Sequence, residues 1–235
     1  MENELPFWKA REAFTCYLAL FAGIVAGSII LIAVTLMLGL DLQNLAFPVA
    51  LVSIPINESI ILLITFLFAR GKRANLKHLG LKKPTFKTLV IVTLSAVLLL
   101  LLASAIAATQ ETILGPDPES ETIADAVLAK DLFQLVALMG LSIAMVGPVE
   151  ELAFRGFVQK GFENSFGKSA GLLIASILFG LLHGLNSLRS ILPVTAVSLF
   201  LGYVWQKTNG NSIATGWMHG LYDATVILIA YFVYA

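Results

Sequence analysis

The sequence has few charged residues and one cysteine. Only 13% of its 235 residues are Asp, Glu, Lys or Arg, and 58% are hydrophobic, whereas soluble domains carry about 25% charged residues. This composition excludes an ordinary soluble domain and predicts an integral membrane protein with several spans. The single cysteine, Cys16, excludes an internal disulfide and a metal site built from several cysteines. We find no internal repeat, low-complexity tract or separate soluble domain.

Seven apolar runs approach or reach the roughly 20 helical residues that a bilayer core requires. They predict spans at about 17–39, 45–69, 88–108, 132–160, 169–184, 191–206 and 212–232. The fifth run is short enough for a tilted or re-entrant helix. The predicted fold class is therefore all-α, a polytopic transmembrane bundle of about seven or eight helices.

The positive charges divide unevenly between the two sides of these spans. If the N-terminus lies inside, thirteen Lys and Arg residues fall on the inner side and two, Lys130 and Arg189, on the outer side. Cytoplasmic loops carry an excess of such residues, so this division predicts a cytoplasmic N-terminus. The inner set is Lys9, Arg11, Arg70, Lys72, Arg73, Lys77, Lys82, Lys83, Lys87, Arg155, Lys160, Lys168 and Lys207.

The loop at 70–87 holds seven of these positive charges and no acidic residue. Leucines alternate with lysines there, which is typical of a segment lying on anionic lipid headgroups. Membrane anchoring explains this loop, so we do not expect nucleic acid as a partner. An acidic segment follows at 109–131, where Pro116 and Pro118 interrupt helix.

Ionisable residues within the later apolar runs carry the functional signal. An unpaired charge at the bilayer centre costs about 2.5–3.5 kcal/mol on insertion scales, so each such residue needs a partner, water or a function. The set comprises Glu150, Glu151, Arg155, His183, His219 and Asp223. Their occurrence on three spans predicts a polar reaction centre inside the membrane.

Helical spacing suggests different roles for the two adjacent glutamates. Glu151 and Arg155 share a helix face in the order that favours an ion pair. Glu150 points about 100° away and is left free to act as a general base. Pro148 lacks the N–H that would bond to Ala144, and is expected to kink or loosen the helix there.

Two further groups complete the predicted site. His219 and Asp223 share a helix face, so Asp223 can accept a hydrogen bond from the imidazole or, if protonated, help to bind an oxyanion. Phe179 precedes His183 by one turn and can form a wall of the pocket. Glu58, in the second span, is interpreted as a structural or cavity-lining acid. A purely structural role is also open for the Glu151–Arg155 pair and for a single membrane histidine.

Three motifs in order resemble the CAAX-protease and bacteriocin-processing family of intramembrane endopeptidases, which includes type II CAAX prenyl endopeptidases. They are Glu150-Glu151-x-x-x-Arg155, Phe179-x-x-x-His183 and His219-x-x-x-Asp223. The resemblance covers roughly 130–232 and implies a polar cavity open to the cytosol. We therefore expect N-terminal transmembrane helices at 1–129 and catalytic helices at 130–235, integrated in one membrane domain.

The resemblance also implies roles for the motif residues. Glu150 and His183 would activate a water molecule, and His219 with Asp223 would stabilise the oxyanion. Prenyl-processing members usually carry Asn where this chain has Asp223, and an ionised Asp repels an oxyanion, so strict CAAX specificity does not follow. The candidate catalytic residues are Glu150, Glu151, His183, His219 and Asp223, with Arg155 and Phe179 in support.

The sequence leaves metal dependence open. Two histidines and one or two carboxylates could hold Zn²⁺ with an open position, and the candidate ligands are Glu150, His183, His219 and Asp223. The H-E-x-x-H pattern of many zinc proteases is absent, and a glutamate–histidine mechanism without metal fits the same residues.

Three other functions compete with the protease. A membrane immunity or binding protein could keep this fold without catalysis. A proton-coupled transporter lacks the expected inverted repeat, and a bis-histidine haem protein leaves Glu150, Glu151 and Arg155 unexplained. We expect a protein or peptide substrate, lipidated or not, and membrane lipids as partners. The expected location is a bacterial or archaeal cytoplasmic membrane.

Overall fold

The computed structural model describes residues 7–39, 46–117, 128–185 and 187–234, without the side chains of 46–50 and 234. Residues 40–45, where the first two predicted spans are joined, and the stretch 118–127 of the acidic segment lie outside the described residues. Within the described ranges the chain forms helices and no strand. The all-α prediction is therefore confirmed.

Seven long helices account for the described chain. We number them α1 (Ala10–Met37), α2 (Ala46–Gly71), α3 (Phe86–Leu114), α4 (Leu132–Phe166), α5 (Lys168–His183), α6 (Ile191–Lys207) and α7 (Ser212–Tyr234). Six are long and apolar enough to cross a membrane, and the exception is the 16-residue α5. The protein is thus an integral membrane protein, and α5 is the short helix that the sequence indicated.

The helix ends differ from the predicted spans where polar residues support extra turns. The first span was predicted to begin at residue 17, but α1 begins at Ala10. The Glu12 carboxylate accepts a hydrogen bond from the Lys9 backbone N–H at 3.0 Å, which satisfies one of the donors left open at a helix start. At the other end of the bundle, α3 continues past residue 108 to Leu114.

Contacts between connections show that successive helices alternate in direction. At one end, which we call the basic end, the Ala10 N–H donates to Ser165 Oγ at 2.8 Å and Lys82 Nζ donates to the Asn209 carbonyl at 3.0 Å. At the opposite end, Arg189 donates to the Leu114 and Pro116 carbonyls. This alternation of helix direction agrees with the seven alternating spans predicted from the sequence.

Helix α4 lies at the centre and contacts α1, α2, α5, α6 and α7. Its C-terminal half is anchored by Trp8, whose indole stacks on Phe157 at 4.9 Å and donates to the Phe157 carbonyl at 2.8 Å. A single residue, Gly167, separates α4 from α5 with a φ of +82°. This tight connection returns α5 along the surface of α4.

Two wide, π-helical stretches interrupt α4, at Ser142–Val146 and Leu152–Gln159. The first ends immediately before Gly147 and Pro148, where the sequence predicted a loosened helix. The second was not predicted. Between them, the α-helical turn Gly147–Glu151 carries both glutamates of the motif. Such π-helical segments occur frequently at functional sites.

The outward faces of the helices are apolar. Ile29 of α1, Leu63 of α2 and Leu94 of α3 are 60%, 57% and 65% exposed, respectively. An array of exposed large apolar side chains is unfavourable in water but suits contact with lipid tails. The polar residues described below are instead on inward faces of the bundle.

Candidate active site

A close crossing of α4 and α7 brings the two main motifs together. A Cβ added to Gly220 would lie 2.6 Å from Ile143 Cα, and one added to Gly216 would lie 2.7 Å from Pro148 Cα. Only glycine permits backbones to approach so closely, and the four-residue spacing puts both glycines on one face of α7. His219 is therefore positioned directly beside the glutamates of α4.

Glu151 and Arg155 form the ion pair predicted from their spacing. Both side chains are fully buried, and Arg155 Nε lies 3.0 Å from Glu151 Oε2. Arg155 Nη1 also donates to Ser198 Oγ of α6 at 2.9 Å, and the guanidinium lies over the Phe179 ring at 5.3 Å. This single arginine therefore links α4, α5 and α6. Sequence analysis missed Ser198, whose only signal was a hydroxyl within an apolar run.

Three carboxylates surround His219. Its Nδ1 lies 3.3 Å from Glu151 Oε1, close enough for charge attraction but not aligned as a hydrogen bond. Its Nε2 lies 3.5 Å from Asp223 Oδ2 and 3.9 Å from Glu150 Oε2. The ring thus has one nitrogen facing the buried ion pair and the other facing Glu150 and Asp223.

His183 is held from the side of α5. Its Nδ1 lies 2.9 Å from the Phe179 carbonyl oxygen, and because a carbonyl can only accept, Nδ1 carries the proton. In the neutral ring, Nε2 is then an acceptor. The Phe179 ring lies 4.6 Å from the His183 ring and 6.0 Å from the His219 ring. Phe179 therefore lies close to both histidines, and it lines the cavity described next, which is the wall position that the sequence indicated.

A cavity of about 660 Å³ receives four of the predicted catalytic side chains: Glu150, His183, His219 and Asp223. Aliphatic residues such as Ile61, Leu182 and Val194 line much of the rest. Glu151 does not line it. The two adjacent glutamates are thus separated by environment, because one faces the cavity and the other is enclosed by protein.

Glu58 is a third acidic side chain lining this cavity, besides Glu150 and Asp223. It is buried, its Oε2 atom has no hydrogen-bond partner among the described residues, and it interacts electrostatically with Glu150, His219 and Asp223. The interpretation as a cavity-lining acid therefore agrees with its position. The neighbouring Asn57 also lines the cavity.

The zinc candidates do not assemble into a ligand set in this arrangement. Within the described ranges, no group of three or more His, Cys, Asp or Glu side chains is placed to hold a metal ion. We therefore derive no chemical step through a metal.

The motif-bearing part of the chain, residues 132–225, matches a family model described as type II CAAX prenyl endopeptidase Rce1-like. This segment is an Rce1-like domain. The resemblance inferred from the three motifs is thereby confirmed, although the match spans less than half of the chain. No curated protein and no solved structure matches the chain.

The Rce1-like domain includes α4, α5, α6 and the first half of α7, together with all of the predicted catalytic residues. The matching family model describes endopeptidases, so residues 132–225 are similar to proteases of this type. Helices α1 and α2 lie outside the matched segment, yet Ile24 and Glu58 from these helices line the same cavity.

Proposed function

We propose that this protein is an intramembrane endopeptidase that uses Glu150 and His183 to activate a water molecule. The observation that supports this most directly is the different placement of the two glutamates. Glu150 faces the cavity together with His183, and one of its oxygens has no hydrogen-bond partner in the described part of the chain. Glu151 is fully buried against Arg155.

In the proposed reaction, Glu150 removes a proton from water while the Nε2 lone pair of His183 helps to orient that water. The resulting hydroxide attacks the peptide carbonyl carbon and gives a tetrahedral oxyanion. The protonated Glu150 then donates its proton to the leaving nitrogen as the C–N bond breaks. The products are a carboxylic acid and an amine, and Glu150 returns to its starting form.

His219 would stabilise the oxyanion by donating from Nε2. The 3.5 Å separation from Asp223 favours a role for that carboxylate in holding the imidazole rather than in contacting the oxyanion directly. Glu151 would act as a positioning residue, because it lies beside Nδ1 of His219 and outside the cavity. Arg155 would in turn hold Glu151.

The proposed substrate is a protein or peptide, with or without a prenyl group, whose scissile bond enters the aliphatic cavity. The distribution of Lys and Arg supports a cytoplasmic N-terminus, and the family resemblance supports a cavity open to the cytosol. The proposed location is a bacterial or archaeal cytoplasmic membrane. We also propose that α1–α3 and the catalytic helices form one membrane domain, since both parts contribute residues to the cavity lining.

The proposal is tested by comparing protein N-termini in membranes from cells that carry wild type, Glu150→Gln or Glu58→Gln. Glu150→Gln preserves shape but removes the base, so it should abolish cleavage at normal expression. Glu58→Gln, which removes another carboxylate from the same cavity, should have a mild effect. New N-termini found with the wild type and Glu58→Gln alone would support the mechanism and identify the substrate class.

Two outcomes would count against this assignment. Retained cleavage by Glu150→Gln would refute the base assignment, while complete loss in Glu58→Gln would place Glu58 in the catalytic machinery. Identical N-termini in all three membranes and in membranes from cells that lack the protein, with equal expression of the three forms, would instead favour an immunity or binding protein on the same fold.

A further inference from the structure

A second pocket of about 460 Å³ lies at the basic end of the bundle and shares no lining residue with the active-site cavity. It is formed where the loop after α2 meets the end of α4 and the turn between α6 and α7. Its lining residues include Lys77, Lys82, Lys160, Glu163, Lys168 and Trp205.

Hydrogen bonds hold the walls of this pocket in place. The Ser212 N–H donates to the Gly80 carbonyl at 2.9 Å, and Ser212 Oγ donates to the Leu79 carbonyl at 2.7 Å. Trp205 Nε1 donates to Ser212 Oγ at 3.0 Å. Gly80 has a φ of +90° and packs against Gly210 so closely that a Cβ would meet the Gly210 carbonyl. The loop at 70–87 is therefore fixed to the start of α7 through Leu79 and Gly80.

Positive charge predominates in the pocket. It is lined by four lysines and a single carboxylate, Glu163. Glu163 Oε1 already accepts hydrogen bonds from the side-chain amides of Gln159 and Gln206, both at 2.7 Å. The carboxylate is thus held by neutral amides, and no salt bridge joins it to a pocket lysine in the described structure.

The lysines retain the capacity to bind an anion. Lys160 Nζ donates to the His78 carbonyl at 2.8 Å and Lys82 Nζ donates to the Asn209 carbonyl. An ammonium group has three donors, so each of these lysines keeps two. Lys82 and Lys160 also repel one another. Lys77 and Lys168 are exposed and make no ion pair within the part of the chain that the structure describes.

Aromatic residues place the pocket at the membrane surface. Trp205 lines it, and the Trp8 ring lies 5.0 Å from Lys160 Nζ. Tyr203 is half exposed, with Lys207 over its ring at 5.2 Å. Tryptophan and tyrosine concentrate at the headgroup level of membrane proteins, where anionic lipids also attract lysines.

We propose that this pocket is a binding site for a phosphate group with a net negative charge, carried by a lipid headgroup or by a soluble phosphate. A phosphate group requires positive charge and hydrogen-bond donors, which the lysines supply. The hydrogen-bonded walls hold these donors in place, and the pocket lies at headgroup level. The proposal does not depend on proteolysis, because the two cavities are separate.

The test measures lipid retention by native mass spectrometry on the full-length protein in detergent. Phosphatidylglycerol is the main probe, phosphatidylcholine tests the need for net charge, and oleate offers a carboxylate in place of phosphate. Lys77→Gln/Lys168→Gln removes two pocket charges that make no hydrogen bond described here. Lys83→Gln/Lys87→Gln removes two exposed charges from the same region outside the pocket.

We expect phosphatidylglycerol affinity to fall roughly 25-fold in the pocket variant, because each of its two lysines contributes about fivefold near an anionic headgroup, and to stay unchanged in the control variant. Equal losses in both variants, or no loss in the pocket variant, would overturn the site. Oleate binding as tight as that of phosphatidylglycerol would overturn the preference for phosphate.

Competition with a soluble phosphate compound shows whether the bound phosphate group belongs to a lipid headgroup or to a soluble molecule. If glycerol 3-phosphate displaces phosphatidylglycerol from the wild type and binds the pocket variant more weakly, the site recognises a free phosphate. If phosphatidylglycerol binds and glycerol 3-phosphate does not compete, the site is specific for lipid. Either result supports the phosphate site and assigns its ligand.

Discussion

At the scale of single residues, Arg155 is a charged side chain enclosed entirely within the bundle. It is fully buried, pairs with Glu151 and donates to Ser198. Burial of a charged pair has a large desolvation cost, and removal of one partner leaves the other charge uncompensated. Arg155 should therefore affect stability as well as activity.

We predict that Arg155→Ala lowers both folded yield and activity, with a loss of about 3–5 kcal/mol in the free energy of unfolding. The reason is that Glu151 would stay buried without its cation, and the position of His219 would no longer be defined. Thermal unfolding of the purified protein and peptide cleavage measure the two effects. Unchanged thermal stability would argue against the pairing.

A double variant provides the control. Arg155→Met with Glu151→Gln removes both charges and keeps most of the volume, so it should recover much of the lost stability. Activity should stay low, because His219 loses the carboxylate beside Nδ1. Recovery of activity along with stability would show that the pair only holds the helices together.

At the scale of helices, the contact between α4 and α7 determines the geometry of the site. The glycines at this crossing bring the backbones into direct contact. A methyl group at Gly220 would require α7 to move away from Ile143 and Ser142. Such a shift would separate His219 and Asp223 from Glu150.

We predict that Gly220→Ala destabilises the protein by about 1–3 kcal/mol, as overpacking of a close contact typically does, and strongly reduces cleavage. Gly140→Ala is the matched control, because nothing lies within 4 Å of a Cβ at that position of α4. Thermal unfolding and cleavage should be measured for both variants. Equal behaviour of the two would show that the close crossing is not required.

The sequence predicted those features of the site that depend on spacing within one helix. The Glu151–Arg155 pair, the different direction of Glu150 and the placement of Phe179 beside His183 follow from helical periodicity. The contact of His219 with Glu151 was not predicted, because it depends on how closely two helices approach. The Gly216-x-x-x-Gly220 spacing carried that information but was not used.

At the scale of the whole molecule, hydropathy predicted the number and order of the helices well, because the bilayer requires long apolar segments. The predicted boundaries were less accurate where Glu12 extends α1. The second π-helical stretch of α4 had no signal in the sequence; in the structure it is fully buried and contacts several neighbouring helices. Which side of the membrane the basic end faces is a prediction from charge.

We predict that the basic end faces the cytoplasm. A cysteine at Lys83 should then be protected from a membrane-impermeant maleimide in intact cells and react after permeabilisation, whereas a cysteine at Lys130 should react at once. Both positions are exposed, and the native Cys16 is fully buried and should contribute little background. The reverse labelling pattern would invert the proposed orientation.

The wide turns of α4 have a consequence for how this helix tolerates change in length. Each residue of an α-helix rotates the following side chains by about 100°, so the direction of Glu150 depends on the number of residues that precede it. A π-helical turn already holds one residue more than an α-helical turn, so insertion of a further residue into Ser142–Val146, even an apolar one far from any charge, would turn the carboxylates away from the histidines. Substitutions in this stretch should therefore be far better tolerated than insertion of a single codon.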